Sequence, residues 1–279
     1  MTSQTQTKAA SRTIERTFQI NAPVQTVWKA LTDAGELARW FPVDAKVTPG
    51  AGGSMEWSWG PTINWPLKIE TWDPPRHLRL SDPWVPPDAK GSSAGPLMVD
   101  FKLAGSGGAT TLHLVHSGFG FGGSWEPWHN ATSCGWLCEL TGLKHYVERH
   151  LGKSRKFIWA RRGFKTDLAT AWRRLIGAQG LGLQPGEGAL AIGSAVVLTI
   201  GALGRLEGTV LAHKDGLALV IEVGALNNAR FLINVDVCCD GPPGSLESGI
   251  RVSLHGDAMK HSDVVTRASN ETLARIFPE

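Results

Sequence analysis

What most restricts the folding of this chain is the shortness of the turns in its first half. Between residues 43 and 117 run five or six strand-like stretches, at about 43–48, 53–59, 63–72, 77–82, 97–104 and 109–117. Gly/Pro-rich breaks divide them, at Pro49-Gly50-Ala51-Gly52-Gly53, Pro74-Pro75 and Gly105-Ser106-Gly107-Gly108. A parallel pair needs a crossover of about a dozen residues or more, so breaks this short dictate an antiparallel sheet. Ahead of the run, Thr13 to Ile20 alternates apolar and polar residues as another strand. Pro23 then opens a helix whose apolar stripe is Val24, Val27, Trp28 and Leu31, and Asp33 is placed to cap a second short helix ended by Pro42. The longest helix closes the half at about 130–151, with Trp136, Leu137, Leu140, Leu143, Tyr146, Val147 and Leu151 as its stripe and Gly152 as its stop. A curved sheet must cover its apolar face, and this helix is the available cover. The expected class is α+β, a curved antiparallel sheet wrapped around a long C-terminal helix.

The second half repeats this order. Asp167 caps a helix with Leu168, Ala171, Trp172 and Leu175 on one face; strands follow at about 192–200, 204–213, 217–223, 229–238 and 249–255, then a helix at about 262–276. Val27-Trp28-Lys29-Ala30-Leu31 compares with Ala171-Trp172-Arg173-Arg174-Leu175, so we read an internal duplication. The second copy has either lost its first strand or keeps it as Lys156 to Ala160. All twelve Trp lie between Trp28 and Trp172, and residues 153–174 carry net charge +7 between a neutral first half and a −4 remainder. These shifts divide the chain into a disordered tail at 1–12, a domain at 13–152, a basic linker at 153–166 and a diverged second domain at 167–279.

Composition narrows the class. Four Cys in 279 residues form no disulfide framework and suit reduced thiols in a cytoplasmic protein. The longest strongly apolar stretch, near Ala189 to Ile200, falls short of the ~18 residues a membrane helix needs, and Met1 to Arg12 has no apolar signal core. A net charge of +3 is too small to argue for nucleic acid.

The first half resembles the activator of heat shock protein 90 ATPase family, within the START/SRPBCC helix-grip superfamily. The resemblance lies in Ile20-Asn21-Ala22-Pro23 with Val27-Trp28-Lys29-Ala30-Leu31-Thr32-Asp33, then Glu36-Leu37, Trp40-Phe41-Pro42, Pro49 with Gly52-Gly53, His116-Ser117-Gly118-Phe119, and Gly135-Trp136 with Leu140 and Leu143. It covers about residues 12–152; residues 167–279 lack the Trp-Phe-Pro and His-Ser-Gly-Phe pieces and share only the order of elements. It implies a sheet gripping a helix, often around an apolar cavity. It implies no particular reaction, because the superfamily includes lipid binders, polyketide cyclases, hydrolases and co-chaperone domains.

Candidate functional residues follow from parity. Met55, Trp57 and Trp59 share one strand face, Trp65 shares its face with Leu67 and Ile69, and Trp136 lies on the covering helix. These indoles either fill the core or wall a small-molecule cavity, with Leu140 and Phe119 beside them. His113 and His116 differ in parity, so only one faces inward; that one, with Glu139, is the weak candidate for acid–base chemistry. The blander reading is a turn-bonded His116 and a solvated Glu139, so no catalytic residue is assigned. Cys134 and Cys138 sit one helical turn apart but lack two further ligands, and Cys238-Cys239 point to opposite faces, so no metal is expected. No phosphate loop or dinucleotide fingerprint exists, so no cofactor is expected, and Gly118 to Gly123 reads as a loop at the cavity mouth. The basic stretch, with Phe157, Trp159 and Phe164 interleaved, reads as a connector facing the acidic second half rather than as a nucleic-acid surface. The leading expectation is a binding protein for a hydrophobic small molecule, or a module offering a chaperone-like partner surface. The alternative is an enzyme of the polyketide cyclase or hydrolase type using the same cavity.

Overall fold

A computed structural model describes residues 11–84, 96–185, 190–237, 241–242 and 244–278. In the first half, β1 (Arg12–Ile20) leads into α1 (Val24–Thr32) and α2 (Ala34–Leu37), the latter capped by Asp33, whose Oδ1 accepts from the Glu36 N–H at 2.9 Å. β2 (Asp44–Thr48), β3 (Ser54–Ser58), β4 (Asn64–Asp73), β5 (His77–Asp82), β6 (Leu97–Ser106) and β7 (Ala109–Phe119) follow, then α3 (Trp125–His145), which widens into a π turn over Tyr146–His150. All seven strands form one antiparallel sheet in the order β1-β7-β6-β5-β4-β3-β2. α3 lies across its apolar face, with Trp136, Leu140, Leu143 and Val147 in the same core as Leu80, Val99, Phe101 and Leu114.

The second half is β8 (Arg155–Phe164), α4 (Leu168–Ile176), β9 (Gln184–Pro185), β10 (Ala195–Thr199), β11 (Arg205–Lys214), β12 (Ala218–Val223), β13 (Ala229–Val237), β14 (Leu246–His255) and α5 (Ser262–Ile276). Its strand order, β8-β14-β13-β12-β11-β10-β9, repeats that of the first sheet, with the leading strand paired to the last, and α5 covers the inner face. The two halves are tandem helix-grip units. Residues 155–164 are not the expected basic linker: β8 pairs along its whole length with β14, so the second copy keeps its first strand. Three cations of the basic stretch bond within the fold, while Lys153, Lys156, Lys165, Arg173 and Arg174 are exposed. Arg161 is paired with Glu247 at 2.6 Å, Arg162 donates to the Phe277 carbonyl at 2.9 Å, and Arg155 donates to the carbonyls of Phe41 and Pro42. The expected tail falls mostly on residues outside those described, and Arg12 already belongs to β1.

α3 serves both halves. Its Trp136–Leu140–Leu143 stripe faces the first sheet, while Cys134 and Cys138 pack against Ala212, Ala218, Val220 and Leu232 on the outer face of the second. A bulge in β11 between Val210 and Ala212 lets one strand supply both cores: Val210 points to the α5 side, Ala212 to the α3 side. Polar contacts complete the joint. Arg230, only 4 % exposed, donates to the Cys138 carbonyl at 2.9 Å and lies 3.5 Å from Glu139, and His145 bonds Glu222 at 2.9 Å. At the π turn, the ring of His150 stacks on that of His255, 4.4 Å apart and 9° from parallel.

Candidate ligand-binding site

A cavity of about 230 Å³ lies where the first sheet, α3 and the outer face of the second sheet meet. Six indoles line it: Trp57, Trp59, Trp65, Trp128, Trp136 and Trp159. Strand alternation aims Trp57 inward from β3, opposite Trp65 on β4 in the register. Trp136 is the centre of the wall, with Phe101 at 5.6 Å and Phe41 at 6.2 Å between ring centroids. Phe41, from the Trp-Phe-Pro segment, makes edge contacts with Trp57 and Trp59 at 4.9 and 5.0 Å. Toward one side, Trp65 and Trp128 are 5° from parallel with centroids 5.7 Å apart, and Trp84 stacks on Trp128 at 3.7 Å.

The polar groups are few. The Trp136 N–H donates to Nδ1 of His116 at 2.9 Å, while Nε2 of His116 is buried without a partner among the described residues. Burial, with the nearby His129 adding to it, pushes the His116 pKa down to about 3, so the ring is neutral at ordinary pH. Asp82 accepts from the Trp65 N–H at 2.8 Å and from the Trp84 backbone N–H at 2.9 Å, and burial raises its pKa. Glu139 reaches the cavity beside Arg230, and Arg251 reaches it from β14.

Of the residues singled out from sequence, Trp57, Trp59, Trp65, Trp136, His116 and Glu139 line this cavity together. His113 does not; it faces outward beside Glu15 at 3.8 Å. Phe119 and Leu140 are fully buried in the first core but are not part of the cavity wall. Gly118, at φ +98°, is the extra residue in the pairing of β7 with β1, and it turns Phe119 onto the His116 ring at 4.6 Å. His116 and Glu139 make no hydrogen bond to each other; His116 accepts from Trp136, and Glu139 faces Arg230 as an ion pair at 3.5 Å, with no hydrogen bond at its Oε2 among the described residues. Cys134 and Cys138 are buried free thiols in the joint between the halves, and no group of three or more metal-ligating side chains is assembled among the described residues. Cys238-Cys239 lie outside those residues. No described helix is long and apolar enough to cross a membrane.

Sequence reasoning missed the wall supplied by the second half: Phe157, Trp159 and Arg251. A signal for the first two existed, because Phe157, Trp159 and Arg161 alternate as a strand does. Arg251 carries no such signal; it reaches the cavity through the pairing of β14 with β8, which sets it opposite Trp159.

Residues 21–148 match the family described as Activator of Hsp90 ATPase homolog 1-like protein. Among curated proteins none matches the chain. Similar solved structures include the Aha1 dimer from Colwellia psychrerythraea, 17% identical over 50% of this chain and 99% of that one, with a TM-score of 0.44. DynU16, a putative protein in the dynemicin biosynthetic locus, is 21% identical over 94% of this chain and 96% of its own, with a TM-score of 0.41. The di-domain ARO/CYC BexL from the BE-7585A biosynthetic pathway is 14% identical over 95% and 97%, with a TM-score of 0.45.

Proposed function

We propose, from the match of residues 21–148 to the family described as Activator of Hsp90 ATPase homolog 1-like protein and from the cavity described above, that the protein binds a compact aromatic small molecule in the cavity between its halves. The observation that carries this reading is the convergence of six indoles, drawn from both halves, on one cavity. Ligand sites are mostly apolar and aromatic with a few placed polar groups, and run to about 300–1,000 Å³. At about 230 Å³ this one suits a small, flat occupant better than a long acyl chain. The expectation of a chaperone-like partner rests on the family resemblance alone.

Binding is favoured over catalysis by the state of the two acid–base candidates. A histidine held near pKa 3 is neutral at pH 7, gives up no proton as an acid and is too weak a base to take one efficiently. Glu139 lies 3.5 Å from the Arg230 guanidinium, whose charge holds it as an ion pair.

The test uses Gly135, which lines the cavity on α3 and has no atom within 4 Å of where a Cβ would sit. Gly135→Leu therefore fills the cavity from a helix that tolerates the side chain. Titration with 2-naphthol, followed by tryptophan emission, should show saturable quenching in the wild type and at least tenfold weaker binding in G135L, with no loss of Tm. Equal binding by both, or no saturable binding by the wild type, overturns the proposal.

A further inference from the structure

We propose that the cavity selects a planar aromatic molecule bearing an acidic oxygen group, and that Arg251, from the second half, is the residue that recognises that group. This rests on the reading of the cavity as a binding site. Hydrogen-bond demand comes first. The indole N–H groups of Trp57, Trp128 and Trp159, Nε2 of His116 and Nε of Arg251 are all buried without a partner among the described residues, and all five side chains line the cavity. His116 is a donor like the others, because Trp136 donates to its Nδ1 and the proton of the neutral ring therefore sits on Nε2. An unmet buried donor costs about 1–3 kcal/mol. A hydrocarbon occupant leaves that demand unmet, whereas acceptor oxygens answer it.

Charge sharpens the class. Three ionisable groups besides His116 line the cavity, and two already face partners, although Oε2 of Glu139 accepts no hydrogen bond among the described residues. Asp82 uses both oxygens on Trp65 and the Trp84 backbone, and Glu139 faces Arg230 at 3.5 Å. Arg251 has no hydrogen-bond acceptor or ion-pair partner among the described residues; its guanidinium lies 4.6 Å from the centre of the Trp159 ring. On its own sheet face Glu247 is bound by Arg161 at 2.6 Å, and Asp236, whose carboxyl pKa burial raises and the Arg251 charge draws back in part, forms no ion pair with it among the described residues. A guanidinium presents a planar fork that matches a carboxylate through two parallel bonds. Planarity comes from the rings, with Trp65 and Trp128 nearly parallel on one side and Phe41 stacked along Trp136 on the other.

The experiment measures binding at pH 7 of three probes to the full chain: 2-naphthoate, its neutral isostere 2-naphthamide, and decanoate. The wild type should bind 2-naphthoate at least tenfold more tightly than either of the others. Arg251→Gln should remove the preference over 2-naphthamide while leaving the affinity for 2-naphthamide within twofold. Arg251→Lys, which keeps the charge without the fork, should retain part of the preference, and it replaces R251Q should that variant lose its circular-dichroism signature. Equal binding of 2-naphthoate and 2-naphthamide by the wild type, or a preference untouched at position 251, overturns the assignment of Arg251 and leaves the binding site standing. Decanoate binding as tightly as 2-naphthoate overturns the planar class. Failure of both naphthalene probes to bind overturns the site itself.

Discussion

Two glycines on one helix face opposite surroundings, and the same substitution should act on them with opposite sign. Gly135 looks into open space, whereas a Cβ at Gly142 would stand 2.5 Å from Nη1 of Arg230. Replacing an interior helical glycine by alanine gains about 0.5–1 kcal/mol where there is room. At Gly142 the buried Arg230 must move, and overpacking of about 1–3 kcal/mol outweighs the gain. Urea unfolding should show G135A stabilised by about 0.5–1 kcal/mol and G142A destabilised by about 1–2 kcal/mol; two shifts of the same sign would refute the close approach. The inward side chains of a strand were legible from parity, as with Trp57 and with His116 against His113. Arg230 on Gly142 was not, because it joins residues far apart in the chain through a contact between the halves.

The π turn that ends α3 carries the next consequence. His150 bonds the Asn228 carbonyl at 3.1 Å and His255 bonds the Arg39 carbonyl at 2.9 Å, so each ring ties one half to the other. Burial pushes their pKa values down to about 4 and about 3, with His145 and the cations Lys153 and Arg155 adding to the shift. The unfolded rings take up protons near pH 6.5 and the folded ones only well below, so stability is complete above pH 6.5 and falls as pH drops beneath it. Each histidine should contribute a slope on the order of 1 kcal/mol per pH unit. Urea midpoints between pH 7 and pH 5 measure it, and His255→Gln should flatten the decline; an unchanged slope would remove His255 from the account. The sequence placed this helix at about 130–151, but its true course is Trp125–His145 followed by the π turn. Apolar spacing shows where a helix runs and does not show the widened turn at its end, where Tyr146 donates to Glu36 at 2.6 Å.

Over the whole molecule, one helix belongs to two hydrophobic cores. The halves should therefore melt together: tryptophan emission, which reports mainly the first half, and far-UV circular dichroism, which reports both, should give coincident urea transitions. Separated midpoints would show that the joint contributes little. The order of elements in both halves could be read from turns and periodicity, and so could the grip of sheet on helix. The burial of the second sheet on both faces has its own signal in the sequence: Ala218 to Val223 and Ala229 to Val235 run largely apolar, where a strand with one wet face alternates. The bulge in β11 hid the rest, since it changes which residues point which way midway along the strand.

That doubly covered sheet binds the two copies to a common fate. A descendant gene that kept only the first copy would make an unroofed slot and a helix with one bare greasy side; one that kept only the second would display an oily back to solvent. Neither copy is a spare, so what looks like repetition along the chain is a division of labour that recombination cannot take apart.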